Sequence, residues 1–443
     1  MQILYWINAI LGSLFLICYV YQLFYIGVTF VKKKRPHKAE PVPHRFAVLI
    51  SARNEEKVIS ELIESINNQD YPRELVTVFT VADNCTDNTA QLARNAGAVV
   101  YERNDTSKIG KGYALKFLLE KINTDFPKDT FDAFLVLDAD NILTTSYLTE
   151  MNKTYSDGYK AVTSYRNSKN FGDNWISAGY ALWFLREAKY VNNSRMILGT
   201  SCAISGTGFM IDRSLLQDEN GNLTWSYFLL TEDIEFTASN IVEGVKIGYC
   251  GEAEFYDEQP TTFKQSYNQR LRWAKGYYQV YANYGFNLLK GIFGRGGKKE
   301  SKKLGFGSCF SCYDMSMTIM PAMIISGLIF IIDIVSAIVK LCMGQFVDFF
   351  QLLAMPLISS VSLMLLVGAI TTITEWKHIH STSIKKILLT LTFPLFMLTS
   401  IPIAFIALFK KVEWTPIIHE KSVTLDEIKN CGKKEHEKKN TNK

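Results

Sequence analysis

The distribution of charge along the chain constrains it most. The first 31 residues contain no Asp, Glu, Lys or Arg, and Lys32, Lys33, Lys34 and Arg35 follow at once. Long apolar runs return only after about residue 315. Between them lies a stretch with the charge content of a soluble enzyme. Residues 4–31 are long enough to span a hydrocarbon layer of about 30 Å. A signal peptide would need a basic start and a small-residue cleavage site, and this start has neither. The basic cluster places the following domain in the cytosol by the positive-inside rule. Further apolar runs cover residues 315–339, 349–373 and 387–409. Lys377, Lys385 and Lys386 belong on the cytosolic side, which fits two crossings. The last run holds Pro394 and Pro402, so it is either a third crossing or a re-entrant element. Asp333 lies inside an apolar run. It either lines a polar path or sits near a helix end. The expected division is an N-terminal transmembrane helix (1–31), a cytosolic enzyme domain (32–300), interface and transmembrane helices (301–410) and a basic tail (411–443). The expected location is the plasma membrane, multi-pass.

The middle of the chain reads as α/β. Short apolar strands are expected over 46–52, 76–82, 99–101 and 131–137. Helices are expected between them, one with Val58, Ile59, Leu62, Ile63 and Ile66 on one stripe. Another runs over 87–96, with Gly97 placed to cap it. Alternation at this spacing predicts a doubly wound, mostly parallel sheet. Ligands bind such sheets at the carboxyl ends of the strands. Asp83, Asp138 and Asp140 all fall at strand ends, where crowded carboxylates call for a cation. No GxGxxG follows the first strand, which argues against a dinucleotide dehydrogenase. The net charge is +5 with no basic and aromatic stripe in the domain, so no nucleic-acid partner is expected. The eight cysteines form no disulfide or zinc grid.

All six histidines lie outside residues 46–377. That excludes a histidine triad and a histidine-rich metal site in the domain, leaving carboxylates, lysine, tyrosine or thiols for acid–base work. Asp138 and Asp140 are two apart on an extended segment, so both address one site. Hard oxygen ligands suit Mg2+ or Mn2+ and a diphosphate. Lys111 between Gly110 and Gly112 suits a phosphate, or lies on a surface loop. In Thr231-Glu232-Asp233 a carboxylate can serve as general base. Gln269-Arg270-Leu271-Arg272-Trp273 offers a cation for pyrophosphate and an aromatic plane for a sugar.

In this order these residues closely resemble the family 2 glycosyltransferases of GT-A fold, especially membrane synthases of cellulose, hyaluronan and poly-N-acetylglucosamine. The resemblance covers roughly residues 46–281. It implies that Ala52 and Glu55, in Ser51-Ala52-Arg53-Asn54-Glu55-Glu56, face the nucleotide, and that Asp83 contacts uracil. By the same resemblance Lys111, Asp138 and Arg272 serve the donor, and Asp140 with Asp138 holds the metal. Ser205, Gly206 and Thr207 lie near the acceptor sugar, with Gln269 and Trp273. Asp233 is the base. The implied reaction is inverting transfer from a UDP-sugar, UDP-glucose favoured or UDP-N-acetylglucosamine, with Mg2+ or Mn2+. The implied acceptor is a growing polysaccharide exported across the bilayer by processive synthesis. Non-processive transfer to a lipid or glycan is the second reading, and a non-catalytic membrane scaffold the third. A scaffold would have lost its carboxylates, whereas Asp83, Asp138, Asp140 and Asp233 all remain. One helix before the domain, where such synthases have more, and no evident regulatory module in the tail leave the product open. Any export partner is unknown.

Overall fold

The computed structural model describes residues 2–31, 37, 40–297, 302–319, 322–415, 419 and 421–431. The basic cluster from Lys32 to Arg35 and most of the lysine-rich tail lie outside these residues.

Eight strands form one sheet: β1 (Phe46–Ala52), β2 (Val76–Asp83), β3 (Val99–Arg103), β4 (Ala133–Asp138), β5 (Ile142–Leu143), β6 (Ala161–Ser168), β7 (Phe209–Asp212) and β8 (Ile247–Asp257). Their order is β3-β2-β1-β4-β7-β6-β8-β5. The β3-β2-β1-β4 half is parallel throughout, as expected. Beyond it the sheet is mixed, because β7 runs antiparallel to both β4 and β6 while β8 runs parallel to β6. The helices and loop between β6 and β7 cover residues 169–208, and the antiparallel β7 carries the chain back away from the ligand edge.

Period-2 burial explains the layers. Along β1, Ala47 and Leu49 enter one core while Phe46, Val48, Ile50 and Ala52 enter the other. Both faces are covered, so the strand is apolar throughout. The helix Ile59–Asn67 buries Ile59, Leu62, Ile63 and Ile66, the expected stripe at helical spacing. Gly97 follows the helix Thr89–Asn95 at φ 96°, a conformation that favours glycine.

Among the described residues three helices are long and apolar enough to cross a membrane: Gln2–Val31, Ile324–Cys342 and Phe346–Thr374. A bent pair, Ser383–Leu391 with Phe393–Phe409, could make a fourth. The apolar run expected over 315–339 falls in the helices Phe306–Ile319 and Ala322–Cys342. Its start belongs to the first of these, in which Asp314 is buried against Arg195 at two bonds of 2.7 Å. Tyr25 and Tyr21 donate to the same carboxylate at 2.6 and 2.9 Å. The run with Pro394 and Pro402 is broken into three short helices. Each break leaves helix-end carbonyls without intrahelical donors. The long helix Phe263–Ile292 supplies donors there. Arg270 gives to Phe396 O, Thr399 Oγ1 and Ser400 Oγ at 2.9–3.1 Å, Tyr278 to Ala404 O at 2.9 Å, and Lys275 to Ala407 O at 3.1 Å. The enzyme domain and this membrane element are thereby locked together.

Asp333 hydrogen-bonds with Asn8 at 2.5 Å, joining two spans. It does not line the cavity described below.

Candidate active site

The carboxyl ends of the strands open on a cavity of about 720 Å³ that runs from the sheet edge to the membrane helices. Its polar end holds Glu55, Asp83, Lys111, Asp138, Asp140, Glu232 and Asp233; its far end is lined by residues such as Leu363, Val367, Phe396 and Ile401.

Asp138 and Asp140 stand where β4 ends. The Asp138 N–H donates to Thr207 Oγ1 at 2.8 Å, and the Thr207 hydroxyl donates to Asn141 Oδ1 at 2.5 Å. Thr207, expected beside the acceptor, is buried and instead holds this turn in shape. Ala52 is likewise buried within β1 and does not reach the cavity, though its neighbours Ser51, Arg53 and Glu55 do. Lys111 donates to Asp138 Oδ1 at 2.5 Å and to Gly206 O at 2.8 Å, so its glycine-flanked position faces the cavity. Asp140 Oδ2 accepts from the Glu258 N–H at 2.8 Å.

His419 overturns the exclusion of histidine. Its Nδ1 lies 3.0 Å from both carboxylate oxygens of Glu55, and its Nε2 lies 3.9 Å from Asp140 Oδ2. Burial opposes its protonation, but Asp140, Glu55 and Glu258 outweigh burial and push its pKa up to about 10. Asp140 is correspondingly held below the usual carboxylate range: burial would raise it, and His419 and Lys169 prevail. The tail is therefore part of the site. Trp414 covers the Arg53 guanidinium at 5.3 Å from the ring centre, and Ile428 packs on Ile142 and Tyr256. No local signal could have placed His419, more than 270 residues from Asp140.

Asp83, at the end of β2, accepts from Arg103 at 2.5 Å. Burial raises its pKa and Arg103 opposes that. Asn54 and Asn84 adopt φ 57° and 54° in the loops after β1 and β2, the two positive-φ residues other than glycine among those described. Asn tolerates that region better than most side chains.

Glu232 and Asp233 begin the helix Glu232–Val242. Asp233 Oδ2 accepts from the Gly206 N–H at 2.6 Å. Burial, then repulsion from Asp233, pushes Glu232 up to about 7; burial also raises Asp233. Trp273 meets Tyr180 and Phe184 edge-on at 5.7 and 6.2 Å. Thr231 Oγ1, Gln269 Oε1 and Arg272 Nε are buried without a protein partner, and all three residues line the cavity. Such atoms are rare unless a ligand or water completes them. Ser205 and Gly206 line it too.

Two further groups escaped the sequence reading. Arg166, at the end of β6, binds Asp257 through Nε at 2.8 Å and Nη2 at 2.5 Å, donates to Ser205 O at 2.9 Å, and stacks on Phe184. Burial lifts Asp257 to about 6 against the pull of Arg166. Asp257 ends β8 and fits the strand-end rule that found Asp83. Glu187 also lines the cavity.

Among the described residues no group of three or more His, Cys, Asp or Glu side chains is arranged to hold a metal alone. The carboxylates and imidazole at this end are nevertheless the donor types that Mg2+ and Mn2+ take, provided a ligand such as a diphosphate supplies the remaining oxygens.

Residues 43–276 match the family described as Glycosyltransferase like family 2. The chain is 26% identical over 282 residues to the beta-monoglucosyldiacylglycerol synthase of Nostoc sp., covering 61% of this chain and 57% of that protein. It is 23% identical over 296 residues to the poly-beta-1,6-N-acetyl-D-glucosamine synthase of Staphylococcus aureus, covering 65% of each. It thus spans between half and two thirds of the length of these curated relatives. Among solved structures it is similar to a mannosyltransferase from Pyrobaculum calidifontis in complex with GDP-Man and Mn2+, with TM-score 0.52, 16% identity, and coverage of 91% of this chain and 99% of that one. The fold is that of the GT-A glycosyltransferases. A strand-end carboxylate site on that fold, and a family match over more than half its length, make this chain a member of glycosyltransferase family 2.

Proposed function

We propose that the chain transfers a hexose, with inversion, from a UDP-sugar to a hydroxyl carried by a membrane lipid. One observation carries this: the cavity that holds the carboxylates continues into an apolar wall built by the membrane helices. A polysaccharide path would be lined mainly by hydrogen-bonding groups, whereas Leu363, Val367, Phe396 and Ile401 present hydrocarbon and interrupt the hydroxyls of Ser326 and Ser400. The Nostoc relative, named for a lipid product, supports the same reading. The enzyme domain faces the cytosol, where nucleotide sugars are made.

The residues take distinct roles. Asp83 contacts the base of the donor, and Glu55 and Lys111 line the nucleotide and phosphate positions. Arg272 takes the pyrophosphate through its unpartnered Nε. Asp140 and Asp138 would hold Mg2+ or Mn2+ together with the donor's own oxygens, with His419 ordering the carboxylates beside them, and the ion would supply charge neutralisation for the departing diphosphate. Asp233 removes the proton from the acceptor hydroxyl as that oxygen bonds to the sugar carbon and the UDP oxygen leaves. Trp273, Gln269, Ser205 and Gly206 orient the accepting group.

The test uses the full chain in bilayer vesicles with radiolabelled UDP-glucose or UDP-N-acetylglucosamine and Mn2+ or Mg2+. Label should enter the organic phase as single-sugar lipid, and chelation should stop it. Label in a long water-soluble polymer would overturn the lipid reading. Processive elongation is the second reading, favoured by the aromatic cluster of Trp273, Tyr180 and Phe184 beside the base.

A further inference from the structure

Three cations in the cavity wall are held at contact: Lys111 by Asp138, Arg166 by Asp257, Arg195 by Asp314. Arg186 is not. It ends the helix Trp175–Arg186, directly before a π-helical turn at Glu187–Asn192. Single π turns often mark functional positions, because the extra residue re-aims the side chains around it. Here both Arg186 and Glu187 line the cavity. The Arg186 guanidinium lies over Trp183 at 4.8 Å from the ring centre, which fixes its plane. Its Nε is buried with no hydrogen-bond partner, and no carboxylate among the described residues forms an ion pair with it. Glu187 is adjacent and is the largest charge acting on Arg186, but no hydrogen bond or ion pair between described residues joins the two. The remaining charged or titratable groups that bear on Arg186 are Tyr21, in the first span, and Arg195, which Asp314 already occupies.

A buried guanidinium with an open donor is complementary to a phosphate oxygen. The donor's diphosphate has its own cations, Lys111 and Arg272. Arg186 stands instead beside the first membrane span, where the wall is turning apolar. We infer that the lipid occupying the membrane half of the cavity bears a phosphate seated on Arg186, so that the acceptor is an anionic phospholipid with a free hydroxyl rather than a neutral glyceride. This rests on the lipid-acceptor reading above and narrows its substrate class.

The experiment compares kcat/KM for two acceptors in phosphatidylcholine vesicles, phosphatidylglycerol and diacylglycerol, with the full chain and with Arg186→Gln and Arg186→Lys. Wild type should prefer phosphatidylglycerol by about tenfold or more, as expected for one charge-assisted contact. Arg186→Gln should reduce the preference to within about twofold, and Arg186→Lys should keep part of it. UDP binding should be equal in all three, which controls for folding. Equal use of both lipids by wild type, or an undiminished preference in Arg186→Gln, overturns the assignment. sn-Glycerol 3-phosphate should compete weakly; if it competes as well as the phospholipid, the site is one for free phosphate. If neither lipid is glycosylated, the lipid-acceptor reading fails. Lipid retained on the purified chain then decides the site: phosphatidylglycerol enriched on wild type and lost from Arg186→Gln upholds it, and equal retention overturns it.

Discussion

At the scale of single residues, the site separates two carboxylate environments. Asp140 is depressed by a cationic neighbour, whereas Glu232 and Asp233 are raised by burial in the same cavity. Such divergence is how one site holds an ion and a base together. A base with a raised pKa works only above it. Turnover should therefore climb as pH rises, because burial raises Asp233 and Glu232, held at about 7, sheds its proton beside it. A kcat profile that is flat from pH 5.5 to 8.5 would contradict this. Asp233→Asn should lower kcat by about 10² to 10⁴ and leave UDP binding unchanged; turnover within a few-fold of wild type would move the base elsewhere. His419→Gln should raise the Mn2+ needed for half-maximal activity by about tenfold or more, measured by metal titration. The sequence showed the carboxylates because strand ends and short motifs are local. It hid His419 because nothing in a tail announces which loop it will reach.

At the scale of elements, the helix carrying Arg272 and Trp273 is set by a missing side chain. A Cβ on Gly276 would sit 2.5 Å from the Thr231 side chain, just before the helix that begins with Glu232 and Asp233. Glycine thus permits the two active-site helices to touch. Gly276→Ala gains about 1 kcal/mol of helix propensity and meets a clash of about 1–3 kcal/mol. Thermal stability should change little, while kcat falls because the base is displaced; a normal kcat would show that the contact is slack. The strands and the Ile59 stripe were legible because periods of 2 and 3.6 survive in a single sequence. The antiparallel turn of β7 was not, since pairing direction is set by distant chain. The run after residue 315 misled for a related reason. Hydropathy counts apolar residues but cannot see that Asp314 has a buried arginine waiting.

At the scale of the whole molecule, Asp314 joins three elements: Tyr21 and Tyr25 of the first span, Arg195 of the helix Asn193–Leu198, and its own helix Phe306–Ile319. Removing one member leaves a buried charge unpaired. Arg195→Met should cost about 3–5 kcal/mol, and replacing Asp314 by Leu as well should recover much of it. Thermal unfolding in detergent would show this; additive losses in the double variant would argue that the pair carries no mutual dependence. Arg270, Lys275 and Tyr278 do the same work on the other side of the cavity, pinning the proline-broken segment through its carbonyls and hydroxyls. The cavity between these two fastenings has a kinetic meaning. With the proposed lipid acceptor, its polar end draws from a three-dimensional solution and its apolar end from a two-dimensional sheet. The concentration that governs acceptor binding is then a mole fraction in the bilayer. Adding inert lipid should slow each enzyme molecule, whereas diluting the same vesicles into more buffer, at saturating donor, should leave its rate untouched.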